Sequence, residues 1–404
     1  MHAHDESTAQ PPPGLFATAA LIFAQMLPAT LLTPAIRPLF AAQHGGNEHA
    51  MHAFMALNMV GAAIALPIVG GHAERMREPR RLIAALLLAD GLLLYALCLP
   101  LPTFAVLSLR VVEGAAHVSA AALLMAEAAA LGRQSGTGRA MGVAGAALMF
   151  AVAFGSSIGG QLVSWELRAP FWVGAGLELL VALWLVTHPG YARAALPATS
   201  RRPLRLLARH RELWVPLAAA FVGRFTIGCV IVSFALFAHK HHGASDRAVG
   251  FFFSLITLPF ALSMYPLSRL SDRVPRASMM ALGGAIYGLC LLLIGYVPYG
   301  ALPLVMVGAG LSSAALFAPT LCYAASLGGE RKEGAMALLN TAGSLGMLLG
   351  PAVAGVTAAL AGGHDPIAGY RAVFALAGLS VFCWLAAGLG WLMRRVRSEV
   401  TEAI

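Results

Sequence analysis

Charged residues are scarce in this 404-residue sequence, where they account for 11% of positions against 59% for hydrophobic residues. A soluble domain normally carries about a quarter charged residues, so the composition excludes an ordinary soluble enzyme of this length. Twelve bilayer crossings of roughly 20 residues would use about 240 residues and leave enough for loops and tails only. The sequence therefore predicts a multi-pass membrane protein without a large soluble domain.

Motifs for nucleotide, metal or covalent chemistry are also missing. The sequence has no Walker loop, no H-E-x-x-H and no dinucleotide fingerprint, and its five cysteines lie far apart without metal spacing. The segment 155–159 matches the hydrolase pattern G-x-S-x-G, but nothing around it predicts the strand that this chemistry needs. We therefore predict no enzyme activity, no cofactor and no resident metal.

Long apolar runs predict the membrane spans. Most of them lack charged residues, and Pro298-Tyr299-Gly300 divides the longest run into two crossings. The twelve predicted spans lie within 14–36, 50–71, 82–101, 103–131, 140–165, 169–188, 213–238, 248–268, 277–329 (two spans), 334–363 and 372–393.

The basic residues predict the orientation. If both termini are cytoplasmic, 20 of the 27 Lys and Arg residues fall in inner loops and tails and only four fall in outer loops. The net charge of +9 is then explained by orientation and not by nucleic-acid binding. The preference for Ala, Gly and Arg over Lys indicates a bacterial source, so we predict a bacterial inner-membrane protein.

A polar linker at 189–212 divides the chain into two sets of six spans. We predict a tail at 1–13, a six-helix bundle at 14–188, a second bundle at 213–394 and a tail at 395–404. The small-residue segment 155–160 recurs 195 positions later at 350–355, which indicates an internal repeat. Parallel halves with a binding site between them near the bilayer midplane are a known transporter architecture.

Two loops carry related charged motifs, G-G-H-A-E-R-M-R-E-P-R-R at 70–81 and S-R-L-S-D-R-V-P-R at 268–276. Both resemble the signature G-x-x-x-D-R-x-G-R-R of the major facilitator superfamily, with Glu74 in place of Asp and Ser268 in place of the first Gly. The resemblance implies an all-α integral membrane fold of two parallel-repeat six-helix bundles. It also implies an inner gate, in which Arg residues pair with an acid such as Glu127; a basic loop that serves orientation only is the alternative. The gating residues implied are Gly70, Glu74, Arg75, Arg80, Arg81, Glu127, Ser268, Asp272 and Arg273.

The fourth predicted span contains three ionisable residues on one helical face, Arg110, Glu113 and His117. Arg110 with Gly114 resembles the intramembrane R-x-x-x-G motif of the same superfamily. An unpaired Arg at a helix centre costs roughly 2.5–3.5 kcal/mol, so we expect Arg110 to pair with Glu113 or with Asp90. The pair is either a proton-coupling switch or a static ion pair, and the sequence favours neither.

Three further charges lie within or at the edge of spans: Arg37, Glu178 and Arg224. The first span has no carboxylate, so a coupled proton would need Asp90, Glu113 or Glu178. We expect Arg37, Arg110 and Arg224 to line a cavity that suits an anionic or chelating substrate.

Glycine patterns indicate the direction of transport. Gly155, Gly159 and Gly160 resemble the G-P-x-x-G-G motif of antiporters in the superfamily, and the other half has Gly346, Gly350 and Pro351. The resemblance implies export, while generic close packing of helices is the alternative.

Together these features predict a monomeric secondary transporter that exports a small organic molecule by proton antiport. The substrate would be a drug, a secondary metabolite or a siderophore-like anionic chelator. A proton-coupled importer or uniporter of a small metabolite is the first alternative. A metal-handling protein or sensor is the second, based on seven predicted outer histidines: His44, His49, His52, His239, His241, His242 and His364.

Overall fold

The computed structural model describes residues 14–73, 76, 79–131, 137–188, 213–271, 273–328 and 332–402, and these residues contain helices but no strand. The amino-terminal half consists of α1 (Leu15–Leu31), a 3-10 turn (Thr33–Ala35), α2 (Ile36–Gln43), α3 (Glu48–Ala73), α4 (Pro79–Leu97), α5 (Thr103–Leu131), α6 (Thr137–Trp165) and α7 (Ala169–Thr187). The carboxy-terminal half consists of α8 (Trp214–His242), α9 (Asp246–Leu270), α10 (Arg276–Leu293), a 3-10 turn (Tyr299–Ala301), α11 (Leu302–Gly328), α12 (Lys332–Gly362) and α13 (Pro366–Glu402).

The helix boundaries follow local chemistry. Pro34 lacks a backbone N–H and lies in the 3-10 turn between α1 and α2, which together form the first crossing. Helix α8 ends at Gly243, whose positive φ of 65° lets its N–H bond back to the last turn. Ser245 then caps α9 by accepting a hydrogen bond from the N–H of Ala248.

Within the residues that the structure describes, eleven helical segments are long and apolar enough to cross a membrane. Helix α4 has 19 residues and is not among them; it carries Arg80, Arg81 and Asp90. It nevertheless packs between α5 and α7, in the position of the predicted third span. The order of helices agrees with the twelve predicted spans, and the break at Pro298 is present.

Helix packing repeats between the halves. In the first half α1 packs on α6, α3 on α5 and α4 on α7; in the second half α8 packs on α12, α9 on α11 and α10 on α13. Each pair in the second half corresponds to a pair six spans earlier. The halves contact each other through α6 with α9 and through α3 with α12.

These contacts between the halves concentrate at one end of the bundle. We call this the far end, where α2 ends and α3, α9 and α13 begin, and call the opposite end, where α1 begins and α13 ends, the terminal end. Near the far end, a Cβ on Gly250 of α9 would lie 2.3 Å from the Ser156 carbonyl oxygen of α6. The Ser254 hydroxyl donates to the Ala153 carbonyl at 2.7 Å. The far end is therefore closed.

Toward the terminal end the same helical faces separate. Gly355 of α12 packs on His52 of α3, but Leu345 and Thr341, further along that face of α12, are exposed. On α9 the face that begins with Gly250 and Ser254 leads to Tyr265, which is 65% exposed. The structure is thus open between its halves at the terminal end and closed at the far end.

Candidate functional site

Seven polar side chains meet inside the amino-terminal half. We call them the polar core: Gln25, Asn58, Asp90, Arg110, Glu113, His117 and Glu178. They come from α1, α3, α4, α5 and α7, and none is more than 5% exposed. Groups of this kind are rare at membrane depth and usually functional, because burying a charge is costly unless it is paired.

Arg110 and Glu113 form an ion pair one helical turn apart. The Arg110 Nη1 atom lies 2.5 Å from Glu113 Oε2, and Asn58 Nδ2 donates to the same oxygen at 2.8 Å. Arg110 Nε also donates to the Phe54 carbonyl, and the guanidinium lies 4.6 Å from the Phe54 ring centroid. The predicted pairing of Arg110 with Glu113 is therefore observed.

A second group consists of Asp90, His117 and Glu178, from three different helices. His117 Nδ1 lies 2.7 Å from Asp90 Oδ2 and 3.8 Å from Glu178 Oε1. The Glu178 carboxyl group also adjoins that of Asp90. Two buried carboxyl groups that face each other cannot both stay ionised, so this arrangement suits a shared proton.

Several acceptor oxygens of the polar core have no hydrogen-bond donor in the described part of the chain. They are Gln25 Oε1, Asp90 Oδ1, Glu113 Oε1, Glu178 Oε1 and Glu178 Oε2. Three carboxylates against one guanidinium leave a net charge of −2 when His117 is neutral. An excess of buried carboxylates over cations favours added positive charge, such as bound protons.

Close packing of α3 on α5 positions the first part of the polar core. A Cβ on Gly114 would lie 2.0 Å from the Asn58 carbonyl oxygen, and a Cβ on Gly61 would lie 1.7 Å from the Val111 carbonyl oxygen. Because neither glycine has a side chain, the two helix backbones approach closely enough for Asn58 to reach Glu113. This explains why the motif that begins at Arg110 ends in glycine.

The glycine motifs of the two halves make corresponding contacts. Gly155 and Gly159 of α6 lie against Thr30 and Leu31 of α1, and Gly346 and Gly350 of α12 lie against Phe221 and Phe225 of α8. Gly160 instead lies against α9 of the other half, beside Asp246 and Arg247, and Pro351 packs on Gly228 of α8. The contacts of these residues are those of close helix packing, which is the alternative to a role in export.

Ion pairs close the far end between the halves. Arg37 of α2 binds Asp246 of α9 through two guanidinium nitrogens, with the closest contact at 2.9 Å. Glu48 of α3 pairs with Lys240 of α8, and its other oxygen accepts from the Tyr370 hydroxyl at 2.5 Å. We call these contacts the far-end latch. A cavity of about 310 Å³ lies beside them.

The far-end latch yields a prediction. Each partly exposed ion pair contributes about 0.2–1 kcal/mol, so Arg37→Gln combined with Glu48→Gln should shift the balance toward opening of the far end by roughly 2–30-fold. The measurement is the rate at which a membrane-impermeant maleimide labels a cysteine introduced at Ala358, which lines the cavity, in a background without native cysteines.

Arg371→Gln is the control for the far-end latch, because the Arg371 guanidinium binds the Gly295 carbonyl within the carboxy-terminal half. It should leave the labelling rate unchanged. An equal labelling rate in the double variant and the unaltered chain would show that these ion pairs do not hold the far end closed.

The three arginines predicted to share a cavity occupy different places. Arg37 belongs to the far-end latch and Arg110 to the polar core, whereas Arg224 lies in the middle of α8 with an exposed side chain. Carboxylates already pair with Arg37 and Arg110, so a shared role of all three arginines in binding an anion stays a prediction. Only Arg224 has no ion pair with any residue that the structure describes.

The predicted gating residues lie at the terminal end. Glu74, Arg75 and Asp272 are outside the described residues. Glu127 is buried on α5, Arg80 is half-buried, and Arg81 and Arg273 are exposed; Gly70 and Ser268 are half-buried at the ends of α3 and α9. The inner gate remains a prediction, and the open terminal end is the state in which its contacts would be broken.

Sequence reasoning missed Gln25, Asn58 and the partners in the far-end latch. Gln25 Nε2 donates to the His117 carbonyl at 3.1 Å, which joins α1 to the polar core. A buried amide in an apolar span is the signal that could have pointed to Gln25 and Asn58. No signal along the chain links Arg37 to Asp246, because 209 positions separate them.

One group of described residues has the spacing of metal ligands, formed by Asp90, Glu113 and His117 with ligand atoms within 4.8 Å of one another. None of the seven predicted outer histidines belongs to it. The Arg110 ion pair and the bond between His117 and Asp90 already use these atoms, so we interpret the group as part of the polar core.

Comparisons with known proteins agree with this geometry. The sequence model of the Major Facilitator Superfamily matches residues 18–237 and 217–403. No curated protein matches the sequence.

Solved structures with the same fold are transporters of different kinds. A bacterial homologue of the human lysosomal transporter Spinster, inward-facing and unoccupied, has 16% identity and a TM-score of 0.75, covering 96% of this chain and 97% of its own. The nucleoside transporter NupG has 13% identity and a TM-score of 0.74, covering 93% and 98%. The human organic anion transporter MFSD10 (TETRAN) has 19% identity and a TM-score of 0.62, covering 92% and 100%.

The all-α fold of two repeated six-span halves is therefore confirmed, and the protein is a multi-pass membrane transporter and not an enzyme. With nearly its whole length matched by the family's sequence model, this chain belongs to the Major Facilitator Superfamily.

Proposed function

We propose that this protein exports a small organic molecule in exchange for protons, and that the polar core carries those protons. In this proposal it lies in a bacterial inner membrane with both termini in the cytoplasm, so the open terminal end faces the cytoplasm. The observation that carries the proposal is the burial of three carboxyl groups and an imidazole around a single guanidinium, which would carry a net charge of −2 without bound protons.

From the net charge we also propose the number of protons exchanged for each substrate molecule. Two protons would neutralise the polar core, one on His117 and one shared between Asp90 and Glu178. The distance of 2.7 Å between His117 and Asp90 suits a charged hydrogen bond. The Arg110–Glu113 pair balances itself and stays constant, so protonation changes only the other carboxylates and the imidazole.

Helix packing offers a route from protonation to movement. Gln25 ties α1 to His117, α1 packs on α6, and α6 packs on α9 of the other half. A change in charge at His117 would therefore alter the packing of α1 and, through α6, the contact between the halves. Coupling requires such a link, because a ligand shifts an equilibrium only through its different interactions with the two states.

Export is proposed over import because the glycine motifs resemble the antiporter motif of the superfamily. The backbone contacts that they make between α1 and α6 and between α8 and α12 fit transport in either direction. Symport into the cell is the alternative, since a D-xylose–proton symporter shares the fold, with 15% identity and a TM-score of 0.67.

Reconstituted vesicles test the proposal. A panel of nucleosides, pentoses and aromatic carboxylates is screened for compounds that stimulate proton flux through the purified protein. An acidic interior should drive substrate uptake if the protein is an antiporter, whereas an acidic exterior would drive it in a symporter. With the membrane potential held at zero, exchange of two protons balances about a 100-fold substrate ratio per pH unit, and exchange of one proton balances about tenfold.

A balancing substrate ratio near tenfold per pH unit would contradict the count of two protons. Uptake driven by an acidic exterior would replace antiport with symport, and substrate flux that ignores the pH gradient would exclude proton coupling altogether.

A further inference from the structure

Arg224 lies near the middle of the membrane. It is ten residues from the start of α8, which at 1.5 Å per residue places it about 15 Å from the terminal end. The polar core is in the other half of the molecule, so Arg224 is separate from the proposed proton site.

The exposed side of Arg224 faces the space between the halves. Ile231 lies on the same face of α8, two turns further along, and lines a small cavity with Thr33, Ile36 and Met51 of the amino-terminal half. That face is closed at Ile231, where the halves touch. Arg224 lies nearer the terminal end, where the halves separate, and part of its side chain is exposed.

The surroundings of Arg224 are uncharged. No carboxylate of the described residues pairs with it, and the Arg224 side chain runs along Gly343 of α12, where a Cβ would lie 3.1 Å from Arg224 Cγ. Asn340 and Ser344, on either side of Gly343 along α12, are exposed. Phe221 and Ile227 lie one turn to either side of Arg224 on α8. Phe221 is half-buried, and Ile227 is 47% exposed.

An arginine without a carboxylate partner at this depth is costly, and a bound anion would offset that cost. We propose that Arg224 binds the anionic group of the transported molecule, and that the substrate class is a small organic anion with an apolar body. The guanidinium would hold a carboxylate or a similar group in a two-bond contact. Phe221 and Ile227 would pack on the apolar part, and Asn340 and Ser344 offer neutral hydrogen-bonding groups beside it. The inference rests on the proposed function only in that the bound molecule is the one transported.

The test measures binding to the purified full-length protein in detergent, with matched carboxylate and amide probes: benzoate against benzamide and salicylate against salicylamide. A hydrogen bond to a charged group contributes about 1.5–3 kcal/mol, so a carboxylate should bind about 10–150-fold more tightly than its amide. Arg224→Gln should bring this ratio close to one, and Arg224→Lys should retain part of it.

Arg371→Gln is the matched control, because it removes the same charge from the same half at a residue bound to the Gly295 carbonyl. It should leave the ratio unchanged. The proposal is overturned if no carboxylate binds better than its amide, or if Arg224→Gln keeps the preference. Because the variant could fold poorly, binding is compared only between samples with the same elution profile and melting temperature; if Arg224→Gln fails to fold, the Arg224→Lys ratio decides, and an undiminished preference there overturns the proposal.

The outcome is separable from that of the proposed function. Carboxylate preference without proton flux would exclude proton coupling and leave the Arg224 assignment standing. Proton-coupled transport of a neutral nucleoside or pentose, with no preference for carboxylates, would support the proposed function and overturn the Arg224 assignment.

Discussion

Neutralising the carboxylates of the polar core is expected to remove coupled protons one at a time. Glu178→Gln leaves Asp90 and Glu113 against Arg110, so the net charge falls from −2 to −1 and one proton should remain. Asp90→Asn together with Glu178→Gln leaves no net charge, and coupling should disappear. In vesicles at zero membrane potential, the balancing substrate ratio per pH unit should fall from about 100-fold to about tenfold and then to one.

Exchange of substrate for substrate should survive in both variants, because it needs no net proton movement. Glu166→Gln is the control, since this carboxylate is exposed between α6 and α7, and the balance point should not change. If the Glu178→Gln variant still exchanges two protons per substrate, the charge count is contradicted. Loss of both proton coupling and substrate exchange would indicate structural damage instead.

Removing Arg110 alone is expected to prevent accumulation of folded protein. Arg110→Met leaves Glu113 as an uncompensated buried charge, and breaking a buried pair in this way costs about 3–5 kcal/mol. Arg110→Met combined with Glu113→Gln removes both charges and keeps an acceptor for Asn58, so much of the folded yield should return. The measurement is the monodisperse fraction in size-exclusion chromatography, together with the melting temperature.

The same double variant provides an independent check on the charge count. It removes one positive and one negative charge, so Asp90 and Glu178 still give −2 and two protons should remain coupled. If the single variant Arg110→Met folds as well as the unaltered chain, the ion pair is not needed for folding. If the double variant loses proton coupling while keeping exchange, the Arg110–Glu113 pair is itself part of the switch.

Much of the candidate site follows from the sequence. The spacing of Arg110, Glu113 and His117 places them on one helical face, and the cost of an unpaired intramembrane charge predicts the bond to Glu113 that the structure contains. That Asp90 meets His117 instead of Arg110 depends on the rotation of α4 against α5. Helical periodicity gives the face of each helix but not which helices pack together, so Glu178 and Gln25 could not be assigned to the same cluster.

The sequence by itself determined the membrane environment, the number and order of the spans and the repeat, because apolar length, charge and turn residues act locally along the chain. Tertiary structure decided which charges are satisfied: Arg37 pairs with Asp246 across the halves, Arg110 pairs within one helix, and Arg224 pairs with no carboxylate among the described residues. The physical reason is that the energy of a charge in the membrane depends on what lies within a few ångströms of it, and those neighbours come from distant parts of the chain.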